Sequence, residues 1–195
     1  MSKNITKKGN YLNILLRFNK TIFSTKEIAL LWNEENSAAV RNRLNDYVKN
    51  GKLIRLRRGL YSKDKNYDKF ELAVNIYTPS YISFETVLYK AGAIFQYYNS
   101  IFVASYLARD INVDNQKYSY RKIKDTILTN QSGIKRNNNY YIASPERAFL
   151  DVVYLNKGYH FDNLSPIEWD KVFEILPVYK NKAMEKRVKE YYDNV

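Results

Sequence analysis

Five of the eleven arginines in this chain lie within 18 residues, at Arg41, Arg43, Arg55, Arg57 and Arg58. Guanidinium groups bind phosphates and donate paired hydrogen bonds to guanine. Two asparagines, Asn42 and Asn45, lie in the same stretch, and a side-chain amide can pair with adenine. A cluster of these residue types indicates binding to a nucleic acid.

The net charge is concentrated in the same part of the chain. Residues 1–65 contain 15 Lys and Arg against 5 Asp and Glu, whereas residues 66–195 contain 17 against 15. A chain rich in Lys, Asn, Ile and Tyr is expected from an AT-rich genome, and that bias raises the charge without any function. The same bias depletes arginine, which numbers 11 against 21 lysines, so composition does not explain the arginine cluster. A basic first third predicts a polyanionic partner, with nucleic acid ahead of an anionic membrane.

Two helices are predicted ahead of the cluster. Residues 9–18 place leucines on one helical face. Ser24 and Glu27 have the spacing of a capping box, in which each side chain binds the other residue's backbone amide. The second helix follows this box, with Ile28 and Trp32 on one face.

A third helix is predicted from Ser37 to Asn50, with Asn36 or Ser37 as its cap and Gly51 ending it in a left-handed conformation. Its spacing predicts a buried stripe of Val40, Leu44, Tyr47 and Val48. The opposite face consists of Ala38, Asn42, Asn45 and Lys49, with Arg41 and Arg43 on either side.

A short basic hairpin is predicted over residues 52–61. Ile54 and Leu56 alternate with two arginines, as in a half-buried strand, and residues 58–59 form the turn. Three helices followed by a hairpin of this kind predict a winged helix-turn-helix domain.

Nine residues are predicted to contact DNA: Ser37, Ala38, Arg41, Asn42, Arg43, Asn45, Arg55, Arg57 and Arg58. The small Ala38 would let the helix N-terminus approach a phosphate. The helix arginines would bind guanine or phosphate, and the hairpin arginines would lie over the backbone or a narrow minor groove. The alternative for the whole surface is a solvated helix face with a charged hairpin tip, and Asn42 is equally well explained as a surface asparagine.

The remainder of the chain predicts a second domain of mixed structure. Residues 62–69 are charged and lack apolar periodicity, which indicates a linker between a domain of residues 1–66 and another of residues 67–195. Helices are predicted at 70–77, 81–91, 145–155, 166–175 and 182–192. Strands are predicted at 101–106, 118–123, 126–129 and 140–143. The fold class is therefore α+β.

The residues needed for catalysis are sparse. The chain contains no cysteine, a single histidine (His160) between aromatic residues, and six glycines without a phosphate-binding loop. We expect a protein that is not an enzyme, with no catalytic residue, metal or cofactor. The first 13 residues are polar and no apolar run approaches the ~20 residues that span a bilayer, so we expect a cytoplasmic protein without a membrane partner.

Nineteen tyrosines raise the possibility of a stacking surface for single strands. Their pairs at residues 97–98, 140–141 and 191–192 are scattered along the chain, which favours core and amphipathic surface roles.

Three segments together resemble a known family. The basic hairpin ends in Arg57-Arg58-Gly59-Leu60-Tyr61. Later segments read Tyr81-Ile82-Ser83-Phe84-Glu85-Thr86-Val87-Leu88, followed by Ala91-Gly92-Ala93-Ile94, and Ile142-Ala143-Ser144-Pro145-Glu146-Arg147-Ala148-Phe149-Leu150-Asp151. Across residues 12–155 the chain resembles the AbiEi antitoxins of abortive-infection, type IV toxin–antitoxin systems.

The resemblance implies two activities. The N-terminal domain would bind inverted repeats upstream of its own operon and repress transcription. The C-terminal domain would counteract a nucleotidyltransferase-like toxin without forming a stable complex with it. The resemblance assigns no catalytic role to Ser144, Pro145, Glu146, Arg147 or Asp151, which are either structural or part of an antitoxic surface.

Two other functions stay open at this point. One is a ligand-responsive winged-helix transcription regulator without antitoxin activity, in which the C-terminal domain senses the ligand or forms dimers. The other is a nucleic-acid enzyme with a site made of carboxylates and lysine, although no such arrangement is singled out by the spacing.

Overall fold

The computed structural model describes residues 11–194, and within them the chain divides into one unit that ends at Ile76 and another that begins at Tyr77. The predicted start of the first helix at residue 9 lies outside the described residues. The α+β class is confirmed, since both units combine helices with a sheet. None of the helices within the described part of the chain is long and apolar enough to cross a membrane.

The first unit consists of four helices and a three-stranded sheet. Its elements are α1 (Tyr11–Leu16), β1 (Ile22–Ser24), α2 (Thr25–Trp32), α3 (Ser37–Lys49), β2 (Ile54–Arg57), β3 (Leu60–Ser62) and α4 (Lys69–Ile76). The sheet has the order β1-β3-β2 and is antiparallel, with Phe23 of β1 opposite Tyr61 of β3. The second and third helices, the hairpin and its turn are confirmed at the predicted positions, to within a residue at the helix ends.

The core of the first unit is formed where α1, α2 and α3 meet. Leu15, Ile28, Trp32, Val40 and Leu44 are each at most 1% exposed. The Trp32 indole N–H donates to the Tyr11 carbonyl at 2.9 Å, which satisfies its one polar atom inside an apolar cluster. Val40 and Leu44 of the predicted stripe are therefore confirmed as buried, whereas Tyr47 and Val48 are partly buried against the same core. The helix presents its other side to solvent.

Glu71 explains why α4 belongs to the first unit. Its carboxylate is 1% exposed and accepts hydrogen bonds from the Thr21 amide (3.0 Å), the Thr21 hydroxyl (2.7 Å) and the Ile22 amide (3.3 Å). A charged group removed from water needs such partners. The predicted boundary at residue 66 falls ahead of this helix, and the predicted linker includes the buried residues Ser62 and Tyr67.

The predicted capping box at the start of α2 is confirmed. The Glu27 amide donates to the Ser24 hydroxyl at 3.2 Å, and the Ser24 amide donates to the Glu27 carboxylate at 3.0 Å. Both backbone donors would otherwise lack a partner at the helix end.

We therefore expect Ser24→Ala to lower the free energy of unfolding by about 1 kcal/mol. Ser37→Ala is the matched control, because Ser37 is also a serine at a helix start but the cap of α3 is the side chain of Asn36. Urea denaturation of both variants measures the difference. Equal unfolding free energies for the two would contradict the capping role.

The second unit is built on a six-stranded mixed sheet. Its strands are β4 (Ser80–Ile82), β5 (Ser100–Ser105), β6 (Arg109–Val113), β7 (Gln116–Lys122), β8 (Ile134–Asn137) and β9 (Tyr140–Ala143). Its helices are α5 (Glu85–Ala91), α6 (Asp125–Leu128), α7 (Pro145–Leu155), α8 (Trp169–Ile175), a 3-10 helix (Leu176–Tyr179) and α9 (Lys182–Asp193). The strand order is β6-β7-β5-β4-β9-β8, in which β4/β9 and β5/β7 are parallel and the other neighbours antiparallel.

Two predictions for the second unit are wrong, and two of its strands were not predicted. The helix predicted over 81–91 begins only at Glu85, because Tyr81 and Ile82 form a buried strand hydrogen-bonded between β5 and β9. The strand predicted over 126–129 is helical. Strands β6 and β8 were not predicted, since an edge strand faces solvent on much of its surface and lacks the apolar alternation of a central one.

Candidate nucleic-acid interface

One face of α3 presents polar and cationic side chains to solvent. Ser37, Ala38, Arg41, Asn42 and Asn45 are all exposed. They follow the spacing i, i+1, i+4, i+5 and i+8, which places them on one side of a helix. Five of the nine predicted DNA-contacting residues are therefore brought together on a single accessible face.

The N-terminus of α3 differs from the expectation that its amides would be available to a phosphate. The Asn36 side-chain oxygen accepts from the Ala38 amide at 3.0 Å and from the Ala39 amide at 3.2 Å. A phosphate at this position would compete with the cap for both donors. The face is therefore better suited to contacts through side chains than through the helix terminus.

Arg43 faces away from the other predicted DNA-binding residues of α3. Its guanidinium carbon lies 3.8 Å from the ring centroid of Tyr11 and 5.6 Å from that of Trp32. Its Nη1 atom is 3.9 Å from a carboxylate oxygen of Glu34. Stacking on two rings and pairing with an acid favour a structural role for Arg43, holding α1, α2 and α3 together.

A β-bulge changes the direction of the hairpin arginines. Arg55 pairs with Tyr61, but the register then shifts so that Arg57 pairs with Leu60. The inserted residue breaks the predicted alternation. Arg55 and Arg58 are exposed, whereas Arg57 is half-buried. The Arg57 Nη1 atom is buried and has no hydrogen bond to any described residue. A buried donor without an acceptor is unfavourable, so Arg57 is less available to an external phosphate than the exposed Arg55 and Arg58.

The turn of the hairpin is attached to the start of α2. The Thr25 amide donates to the Gly59 carbonyl at 2.9 Å, and the Thr25 hydroxyl reaches the same oxygen at 3.3 Å. Gly59 has a φ of +81°, a conformation that favours glycine. This contact fixes Arg58, the residue before it, with respect to the helices. Thr25 and Gly59 are 34 residues apart, so no local sequence pattern predicts this contact.

The two later segments that carry the family resemblance, residues 81–94 and 142–151, contact each other through a buried polar network. Asp151 accepts hydrogen bonds from the hydroxyls of Tyr81 (2.9 Å), Ser83 (2.7 Å) and Tyr179 (2.6 Å). The Arg147 Nε atom lies 3.3 Å from Asp151 Oδ1. Arg147 and Asp151 are both 0% exposed. Burial of the pair excludes these two residues from an antitoxic surface, one of the two roles predicted for them.

Arg147 also binds the backbone of α6 and of the segment that follows it. Its Nη atoms donate to the carbonyls of Ile127 at 2.7 Å and Ser132 at 2.8 Å, and a third carbonyl, that of Asn130, lies at 3.5 Å. One side chain thereby binds three carbonyls within six residues. Ser144 caps α7 and Pro145 occupies its first turn, as predicted.

Burial and charge set the protonation of this network. Burial raises the pKa of the Asp151 carboxyl, while Arg147 and the three hydroxyl donors oppose that rise. Burial and the neighbouring Asp151 raise the pKa of Tyr81 and of Tyr179 well above the ordinary tyrosine value. Both tyrosines therefore stay protonated and donate to Asp151.

No protein-family model matches this chain, and no curated protein sequence does either.

Proposed function

We propose that this protein is a DNA-binding autorepressor whose first unit is a winged helix-turn-helix domain. The observation that carries the proposal is the exposed face of α3, with Arg41, Asn42 and Asn45, together with a hairpin that exposes Arg55 and Arg58. The order of three helices followed by an antiparallel hairpin, which was predicted from the sequence, supports this assignment.

Each part of this surface has a separate role in the proposal. The exposed face of α3 enters the major groove, where Asn42 and Asn45 pair with adenine and Arg41 binds guanine or phosphate. Arg55 and Arg58 bind the adjacent backbone. Arg43 positions the helix without contacting DNA. The DNA is an inverted repeat upstream of the protein's own operon.

Salt-dependent binding to the upstream region tests this proposal. We expect Arg55→Gln with Arg58→Gln to weaken binding about tenfold or more, and to reduce the slope of log K against log salt concentration by about 2, because two phosphate contacts are lost. Arg17→Gln is the matched control, since Arg17 is an exposed arginine of the same unit outside α3 and the hairpin. Unchanged affinity and slope in the double variant would contradict the proposal.

We further propose that the second unit counteracts a nucleotidyltransferase-like toxin without forming a stable complex with it. Two segments that carry the resemblance to AbiEi antitoxins, separated by about sixty residues, bind each other through Tyr81, Ser83 and Asp151. This supports a shared architecture for the second unit. Such a protein would act in the cytoplasm.

Co-expression with a nucleotidyltransferase-like toxin of an abortive-infection system tests the antitoxin proposal. We expect the full chain to restore growth, and a variant with Arg41, Arg55 and Arg58 changed to Gln to restore it equally, because those substitutions affect the first unit alone. The failure of the unmodified chain to restore growth would remove the antitoxin assignment and leave the DNA-binding proposal intact.

A further inference from the structure

A cleft of about 260 Å³ opens in the second unit beside the start of β4. Strands β4 and β9 pair at Ile82 and Ile142, and the cleft lies beyond this pair, next to Ser80 and Tyr141. The end of α6 and the segment after it form its other wall, with Leu128, Thr129, Gln131 and Ile134.

The lining of the cleft is uncharged and includes an accessible aromatic ring. Tyr141 is 45% exposed, and Leu128 and Ile134 add apolar surface. Thr129 and Gln131 place a hydroxyl and an amide on the same wall. An apolar slot with a few polar groups accepts a flat, neutral group that can stack on tyrosine.

A cation lies directly beside this slot. Arg136 of β8 is the cross-strand neighbour of Tyr141, so the two side chains share a face of the sheet, whereas Lys135, the next residue of the strand, lies on the opposite face. The Arg136 side chain is exposed, and its Nε atom donates to the Asn138 carbonyl at 3.2 Å. The hairpin from Ile134 to Ala143 contains no Asp or Glu. An anionic group attached to the flat one would meet Arg136 without a carboxylate of the same hairpin to oppose it.

Hydrogen bonds from the buried side chain of Arg147 fix the position of one wall of the cleft. Arg147 binds the carbonyls of Ile127, Asn130 and Ser132, which lie along the segment that lines the cleft. The Tyr81 hydroxyl, on the opposite wall, is fixed by Asp151 and Arg147. A wall ordered before binding reduces the entropy lost when a ligand binds.

We propose that this cleft binds a nucleotide, with the base against Tyr141 and the phosphate on Arg136. An uncharged aromatic slot beside a cation matches a ligand with one flat neutral end and one anionic end. Its volume holds a base but not a duplex. The nucleotide is either a free mononucleotide or the terminal nucleotide of a single strand. This site is independent of the DNA-binding surface of the first unit.

Calorimetric titration of the full chain with AMP, GMP, CMP and UMP, and with eight-nucleotide single strands, tests the proposal. The protein carries Arg41, Arg55 and Arg58 changed to Gln, so that strand binding by the first unit is weakened. We expect saturable binding that Tyr141→Ala weakens about tenfold or more, as for the loss of one stacked base. We expect a similar loss for Arg136→Gln, with a smaller salt dependence.

The opposite edge of the same sheet supplies matched controls. Tyr106 is 40% exposed, and Arg109 is an exposed arginine on β6, the other edge strand. Tyr106→Ala and Arg109→Gln should leave binding unchanged. Binding of mononucleotides would show that the site takes a free nucleotide. Binding of single strands without binding of mononucleotides would show that it takes the terminal nucleotide of a strand. No binding of either at millimolar concentration, or equal losses in the control variants, would overturn the proposal.

Discussion

Replacement of Asp151 by alanine is expected to lower the free energy of unfolding of the second unit by about 3–5 kcal/mol, because the buried Arg147 is left without its counter-charge. Three hydroxyls, of Tyr81, Ser83 and Tyr179, lose their acceptor in the same substitution. Each buried donor without a partner adds to the penalty. Differential scanning calorimetry of the full chain measures this loss as a lower midpoint for the second unit.

An exposed ion pair of the same unit is the matched control for this prediction. Lys117 and Asp110 lie 2.8 Å apart on neighbouring strands, and their side chains are about half exposed. Asp110→Ala should change the unfolding free energy by no more than about 1 kcal/mol, since water screens both charges. Asp151→Asn keeps one acceptor oxygen, replaces the other with an amide donor and removes the charge, so its loss of stability should fall between those of Asp151→Ala and Asp110→Ala. A loss for Asp151→Ala as small as that for Asp110→Ala would contradict the role of the network.

Gly133→Ala is expected to destabilise the second unit by roughly 2–4 kcal/mol, from backbone strain together with overpacking. Gly133 has a φ of +72°, and a Cβ atom there would lie 2.7 Å from Ile175 Cδ1 and 2.8 Å from Arg147 Cβ. Arg147 cannot move aside without losing its bonds to Asp151 and to the carbonyls after α6. Chemical denaturation followed by circular dichroism measures the effect.

Gly92→Ala is the matched control, because it measures the effect of backbone strain without steric crowding at the new Cβ atom. Gly92 belongs to the same unit and has a similar φ of +75°, but no described atom outside its immediate chain neighbours lies within 4 Å of its Cβ position. Its substitution should cost about 1 kcal/mol, the conformational term alone. Equal losses for Gly133→Ala and Gly92→Ala would show that the close approach to Arg147 has no energetic consequence.

The first unit was largely predictable because its signals are local. The box of Ser24 and Glu27, the Asn36 cap and the apolar stripe of α3 each involve residues within a few positions of one another. Capping and helical periodicity act over that range, so the interactions are visible in the sequence. The fold class was predictable for the same reason, since most helices and strands of both units have their own periodicity.

The second unit was less predictable because its interactions are distant in sequence. The sequence pattern predicts that Tyr81 belongs to a helix. In the structure its backbone pairs with Ala104 of β5, and its hydroxyl binds Asp151. The edge strands β6 and β8 are polar, and only their neighbours in the sheet identify them as strands. The cleft beside Tyr141 is formed by residues up to about sixty positions apart, so no motif marks it.

The sequence by itself determined where the basic surface lies and where its helices begin and end, because charge, capping and periodicity are properties of neighbouring residues. Only the tertiary structure decided which arginines face solvent. Arg41 is exposed, Arg43 stacks on two aromatic rings, and Arg147 is enclosed by carbonyls and Asp151. The three carry the same charge, and what distinguishes them is the set of atoms that folding places around each guanidinium.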